Sequence, residues 1–318
     1  MAGWPTARAG WRAGWCIRPR RCGWAHGWPG GRSRWPLARR TLIAAASLAL
    51  LPAFAQSPAL ADTLAKLSAS KTITLGVRKN AAPFSYVDAA GKPAGFSWAL
   101  CQAIVQQLSA ELKTPIAVKF EPVTLGESFD LLKQGRIDLH CGSTANTAER
   151  AKAVDFSNTF FVSRVVAAHR KQDAKFASAR EFGRTGVLQG STAQTLMQVY
   201  AAKKASTLAL GPVKPFASYD EGAKLLKGGA IDTLVADELL IPRDAEIALR
   251  RDQLTVEPYA LVMRKGDAAF VDAVDRALAK VVSGPQARQL AEAAGLKVDH
   301  MTLDAWRNPN KQPAPPVF

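Results

Sequence analysis

The tripeptide Gly-Ser-Thr occurs twice, at 142–144 and at 190–192, each time directly after a short apolar run that reads as a buried strand. Open α/β sheets bind their ligands at the carboxyl ends of strands, so a buried strand running into a turn rich in amides and hydroxyls constrains architecture and site together. The first copy lies in GRIDLHCGSTANTAER, Gly135 to Arg150. Here Ile137 to Cys141 is the strand, Ser143 and Thr144 offer hydroxyls and N–H groups, and Arg150 follows in an adjoining helical turn. A guanidinium so placed can grip a planar anion bidentately, which a lysine cannot match; the plainer role is a solvated surface charge. In the second copy a strand over 185–189 meets Gly190-Ser191-Thr192 and then a helix from Ala193 to about Lys203. Thr192, at the start of that helix, can add backbone N–H groups and a favourable dipole for the same anion, or can simply cap the helix.

The rest of the chain fits around these two units. Lys71 to Gly76 reads as a first strand, and Arg78 stands just past its end, where a residue points into a cleft. PFSYVDAAGKPAGF reads as a hairpin-like excursion punctuated by Pro83, Gly91, Pro93 and Gly95. Ser97 is placed to cap a helix whose apolar face, Cys101, Ile104, Val105, Leu108 and Leu112, has spacings of 3 and 4. A strand alternating over Ile116 to Phe120 and a helix over Glu127 to Lys133 complete a β-α-β-α-β series. Val154 to Lys171 is extended, Glu221 to Leu226 a helix, and Ile231 to Ala236 a strand ended by Asp237, the one acid placed at the cleft. Leu254 to Met263 is extended again, with helices over Ala268 to Val282 and Gln286 to Ala294. From Leu296 the chain reads as irregular, pinned at Trp306 and fraying from Lys311 to Phe318. Two extended passages imply two crossings between lobes: residues 62–165 with 258–318 form the first lobe and 166–257 the second, joined by a hinge that closes on a ligand.

Charge is unevenly distributed. The formal charge is +16, but residues 1–61 hold nine arginines, no acid and six of the eight tryptophans, leaving 33 basic and 26 acidic residues elsewhere. Within that leader a basic stretch, Arg32 to Arg40, precedes fourteen largely apolar residues, Leu42 to Ala55. This is too short for a finished transmembrane helix and has the form of a cleavable signal peptide, with small-residue sites before Gln56 and before Asp62. Asp62 opens a plausible first helix, which favours the second site. The mature chain is therefore expected outside the inner membrane, in an oxidising compartment that permits a disulfide between Cys101 and Cys141.

Several classes find no support in the residues. The four histidines are scattered without ligand spacing, so no metal site and no cofactor is expected. LQGSTAQ lacks the glycine pattern of a nucleophile elbow, there is no phosphate loop, and the mature chain has no interleaving of aromatic and basic residues for nucleic acid.

Taken with PFSY at 83–86, Gly95-Phe96 and QGSTA, the 135–150 stretch resembles the polar amino-acid binding proteins of ABC importers, and within them the glutamate/aspartate branch. The resemblance covers roughly Asp62 to Gly284. It implies a two-lobe periplasmic binding fold of the type II kind, each lobe a mostly parallel sheet flanked by helices. It also implies that the protein is no enzyme but a monomeric receptor, passing a free amino acid to permease subunits in the inner membrane. By that resemblance Arg150 and Thr192 hold the α-carboxylate, Asp237 pairs the α-ammonium, and Arg78 reaches the carboxylate of an acidic side chain, with Ser143, Thr144, Ser191 and Tyr219 completing the site. The branch usually has an Asn-Arg pair where this chain has Glu127-Ser128, a threonine where it has Ala145, and a histidine where it has Tyr219. A receptor for another polar amino acid, and a periplasmic enzyme of the cyclohexadienyl or arogenate dehydratase kind on the same fold, remain open.

Overall fold

The computed structural model describes residues 62–203 and 207–315; the leader and its cleavage sites lie outside them. The first helix, α1 (Thr63–Ser70), begins at Asp62, whose carboxylate accepts from the N–H groups of Leu64 and Ala65 and so satisfies two of the orphan donors of the first turn. Next come β1 (Thr72–Arg78) and a small three-stranded excursion, β2 (Asn80–Ala81), β3 (Ser85–Val87) and β4 (Pro93–Ala94), as the Pro and Gly punctuation predicts. α2 (Phe96–Glu111) starts two residues earlier than expected. Its N-cap is Gly95 and not Ser97, which lies buried inside the first turn, because the Gly95 carbonyl already accepts from Ala99 N–H.

The series continues through β5 (Ala117–Val123), α3 (Leu125–Lys133), β6 (Leu139–Cys141) and β7 (Val154–Phe156). Thr124 and Glu127 close a reciprocal capping box on α3. The expected in–out alternation of β5 is not seen: four successive residues, Ala117 to Phe120, are exposed, because β5 is an edge strand paired only with β1. β8 (Phe161–Arg170), β9 (Glu181–Leu188), α4 (Thr192–Ala202), β10 (Ala209–Phe216), α5 (Tyr219–Lys227), β11 (Thr233–Asp237), β12 (Ile247–Leu249), β13 (Thr255–Tyr259) and β14 (Val262–Arg264) follow. The chain then ends in α6 (Ala268–Ser283), α7 (Gln286–Ala293) and α8 (His300–Arg307).

Two sheets result. In the first, ordered β5-β1-β6-β14-β7, strands β5, β1 and β6 run parallel and β14 runs antiparallel to β6 and β7. In the second, ordered β10-β9-β11-β8-β12, strands β10, β9 and β11 are parallel while β8 opposes β11 and also pairs β13. β6 and β11 are buried along their whole length, which is why both read as unbroken apolar runs. Where the chain passes between the sheets, Val165 to Phe161 on β8 lies beside Thr255 to Tyr259 on β13. An aromatic cluster packs there: Phe84 meets Phe161 and Tyr259 edge-on, at centroid distances of 5.0 and 5.1 Å.

Cys101 on α2 and Cys141 at the end of β6 are joined by a disulfide, with Cα atoms 6.3 Å apart. The C-terminal reading needs correction. The stretch after Leu296 contains a helix, α8, capped by Asp299, and the indole N–H of Trp306 does pin it, donating to the Phe160 carbonyl at 2.8 Å. Nor do the described residues of the tail fray from Lys311; residues 316–318 lie outside them. The amide of Asn146 donates to the Lys311 carbonyl, Ala314 N–H donates to the Asn146 carbonyl, and the Lys311 ammonium meets Asp275 at 2.7 Å.

Candidate functional site

Seven of the eight residues singled out from sequence line one cavity: Arg78, Ser143, Arg150, Ser191, Thr192, Tyr219 and Asp237. The eighth, Thr144, is buried beside it and lends its backbone carbonyl to Ala260 N–H. The walls come from strand ends and helix starts, since β1 ends on Arg78, β11 ends on Asp237, α4 begins at Thr192 and α5 begins at Tyr219. Leu125, Ala145, Glu257 and Tyr259 complete the lining. Only ≈ 10 Å³ between these walls admits the centre of a water molecule, room for about one water.

Arg150 is the bridge. One guanidinium nitrogen donates to the Ala145 carbonyl at 3.0 Å and the other to the Gly190 carbonyl at 3.1 Å, joining the first Gly-Ser-Thr turn to the second. Gly190 turns with φ +76°, a conformation that favours glycine, and so presents that carbonyl. In the other turn, a Cβ on Gly142 would stand 2.7 Å from Nε2 of His140 and 3.3 Å from Cγ of Arg78, so only glycine leaves both side chains their places.

Arg78 is 3 % exposed, and its side chain makes no hydrogen bond or ion pair among the described residues. Burial lowers the pKa of Arg78 and of Arg150, with Tyr219, Tyr259 and Asp237 opposing for the first, and Glu257 and Asp237 for the second. Both guanidiniums stay charged at any ordinary pH. His140, fully buried behind them, is held neutral by desolvation and by the two arginines, its pKa pushed down to about 3. Burial, and after it the neighbouring Glu257, raises the Asp237 carboxyl well above the usual carboxylate range, against the pull of Tyr259, Ser163 and Arg150. One oxygen of Asp237 has no hydrogen-bond partner among the described residues. A buried, under-solvated carboxylate of this kind favours a cationic partner.

Two expectations change. The N-cap of α4 is Ser191, whose hydroxyl accepts from Gln194 N–H and donates to the Leu188 carbonyl. Thr192, the first helical residue, instead donates its hydroxyl to Glu257 Oε2 at 2.9 Å. Asp237 is also not the only acid at the site, since Glu257, 1 % exposed, lines the same cavity. Glu257 and Tyr259 went unnoticed because 254–263 reads only as a crossing strand. The period of two along β13 was the available signal, since it turns both side chains to one face. Of the departures from the resembled branch, Ala145 and Tyr219 line the cavity, Ser128 is buried with its hydroxyl bound to the Leu125 carbonyl, and Glu127 caps α3.

Two sheets with helices on their faces and a polar cavity at the strand ends between them define a solute-binding protein of the type II periplasmic architecture. The family described as bacterial extracellular solute-binding proteins, family 3, matches residues 73–296, and the chain belongs to it. It is 32 % identical to the L-glutamate/L-aspartate-binding protein of Pseudomonas aeruginosa over 250 residues, covering 73 % of this chain and 80 % of that one. With the glutamate/aspartate import solute-binding protein of Escherichia coli K12 it shares 28 % over 265 residues, 79 % and 86 % of the two chains. Among solved structures, an ancestral amino acid-binding protein that is a precursor of cyclohexadienyl dehydratase superposes with a TM-score of 0.63 at 25 % identity, over 73 % of this chain and 99 % of that one. A substrate-binding protein of an ABC uptake transporter from Streptococcus pneumoniae, solved with bound histidine, superposes with a TM-score of 0.66 at 21 % identity, over 75 % and 98 %, which speaks to the fold alone.

Proposed function

We propose that the cavity takes a free polar amino acid, acidic by preference, and that the chain is a monomeric periplasmic receptor delivering it to an inner-membrane ABC permease. Arg150, with the amides and hydroxyls of Ser143, Thr144, Ser191 and the start of α4, receives the α-carboxylate. Asp237 pairs the α-ammonium, and Arg78 faces the side chain, bounded by Tyr219. The observation that carries the acidic preference is the buried guanidinium of Arg78 without a counter-charge bonded to it; a ligand carboxylate would supply one, and an apolar side chain would leave it uncompensated. The named relatives that bind glutamate and aspartate support the same reading.

Capture proceeds by opening and closing about the two adjacent crossings, with residues 62–165 and 258–318 on one side and 166–257 on the other. The pairing of β8 with β13 supports this, because the crossings lie side by side and can bend together. The test is a thermal-shift series with the twenty amino acids on protein stripped of ligand by partial unfolding. Glutamate or aspartate should raise the melting temperature most, their amides less, and leucine and lysine least, since a ligand bound only by the folded state stabilises by mass action. A largest shift with leucine or lysine would contradict the assignment.

A further inference from the structure

Among the described residues, the charged lining of the cavity is two guanidiniums and two carboxyls, Arg78 and Arg150 against Asp237 and Glu257. An amino acid with a neutral side chain adds no net charge to this set, whereas an acidic one adds a full negative charge to a space enclosed by buried groups. Desolvated charge is costly, so a closed complex with the acidic ligand favours one compensating proton. On the reading given above, Asp237 faces the ligand ammonium and stays ionised, which leaves Glu257. We propose that Glu257 is a specificity residue that binds a proton when the ligand is an acidic amino acid and releases it when the ligand is the corresponding amide, so that pH sets how sharply the two are told apart.

The local geometry suits a carboxyl that works in both charge states. Glu257 Oε2 accepts from the Thr192 hydroxyl at 2.9 Å and Oε1 from the Thr255 hydroxyl at 2.5 Å. A hydroxyl both donates and accepts, so either threonine can rotate to receive a hydrogen bond from protonated Glu257 with no movement of heavy atoms. The charged and titratable groups around it are Arg150 from the first turn, Asp237 from β11, Tyr219 from α5 and Tyr259 from β13, with Arg78 and His140 behind. Burial raises the Glu257 pKa, opposed by the hydrogen bonds from Thr255 and Thr192 and then by Arg150, while both tyrosines have pKa values raised above their usual range and the His140 pKa is pushed down to about 3. Of these groups the two carboxyls are the ones whose burial favours taking up a proton.

The inference rests on amino-acid binding as proposed above, and one titration set separates the two. Glutamate and glutamine, or aspartate and asparagine, are titrated calorimetrically into the full chain from pH 6 to 8, in buffers of differing ionisation enthalpy. The preference for acid over amide should fall by up to about tenfold per pH unit as pH rises, with the acid complex holding close to one more proton than the amide complex. In Glu257→Gln the preference should be flat across this range. A wild-type preference that does not change with pH overturns the inference while leaving the receptor reading intact, and so does a fall that persists in Glu257→Gln, which would move the proton to Asp237. Absence of binding by either ligand would sink the receptor reading and this inference with it.

Discussion

Arg150→Ala should weaken amino-acid binding by about 2–5 kcal/mol, because it deletes a charge-assisted contact inside a desolvated cavity. The folded state should persist, since the guanidinium's hydrogen bonds go to two turn carbonyls and not into the core. Calorimetric affinity equal to wild type would remove Arg150 from the site. Arg78→Ala should cost an acidic ligand more than its amide, by roughly the 1.5–3 kcal/mol of a hydrogen bond to a charged group. Arg78, Arg150 and Asp237 were legible in sequence because each stands at a strand end or just past a strand-end turn, and position in an α/β sheet says where such a residue points. Glu257 was not, because its role depends on Thr192, 65 positions away in the chain, and no local pattern reports a contact of that kind. The start of α4 lies one residue before the expected Ala193 for a simpler reason: Ser191 and Thr192 are both good caps, and only backbone geometry tells them apart.

At the scale of elements, two ties hold the first Gly-Ser-Thr turn in place. The disulfide fixes the end of β6 to α2 and closes a loop of 40 residues, so Cys101→Ser should lower the stability of the exported, oxidised protein by about 3–4 kcal/mol in the chain-entropy account. Chemical denaturation with and without reductant checks this: the wild type should lose the same stability on reduction, and the variant should not respond. The second tie is the tail. Asn146 exchanges hydrogen bonds with Lys311 and Ala314 and lies next to the Ala145 carbonyl that holds Arg150. Ending the chain at Arg307 should therefore cost about 2–3 kcal/mol of stability, at about 1 kcal/mol per lost hydrogen bond, and should also weaken ligand affinity. Full affinity in the shortened chain would show that the turn holds itself. The strands and helices around the two turns were legible from apolar period and turn residues. The tail and α8 were not, because a Pro-rich, weakly periodic sequence gives no sign of the Asn146 backbone that satisfies its polar groups.

For the whole molecule, two copies of one strand-turn unit predicted two sheets facing a common ligand, and the lining of the cavity draws on both turns. What the sequence could not convey is how tightly those walls meet. With about one water's room inside, the proposed hinge must open to admit a ligand, and on that reading small-angle scattering should show the stripped protein contracting when a tight ligand is added. The central claim is that the buried charge of Arg78 selects an acidic amino acid, and it is tested most directly by titrating glutamate and glutamine into wild type and Arg78→Ala at one pH. The account predicts that wild type prefers glutamate and that the substitution removes most of that preference while leaving glutamine binding much less affected. Equal losses for acid and amide, or a wild type that binds lysine more tightly than either, would contradict it.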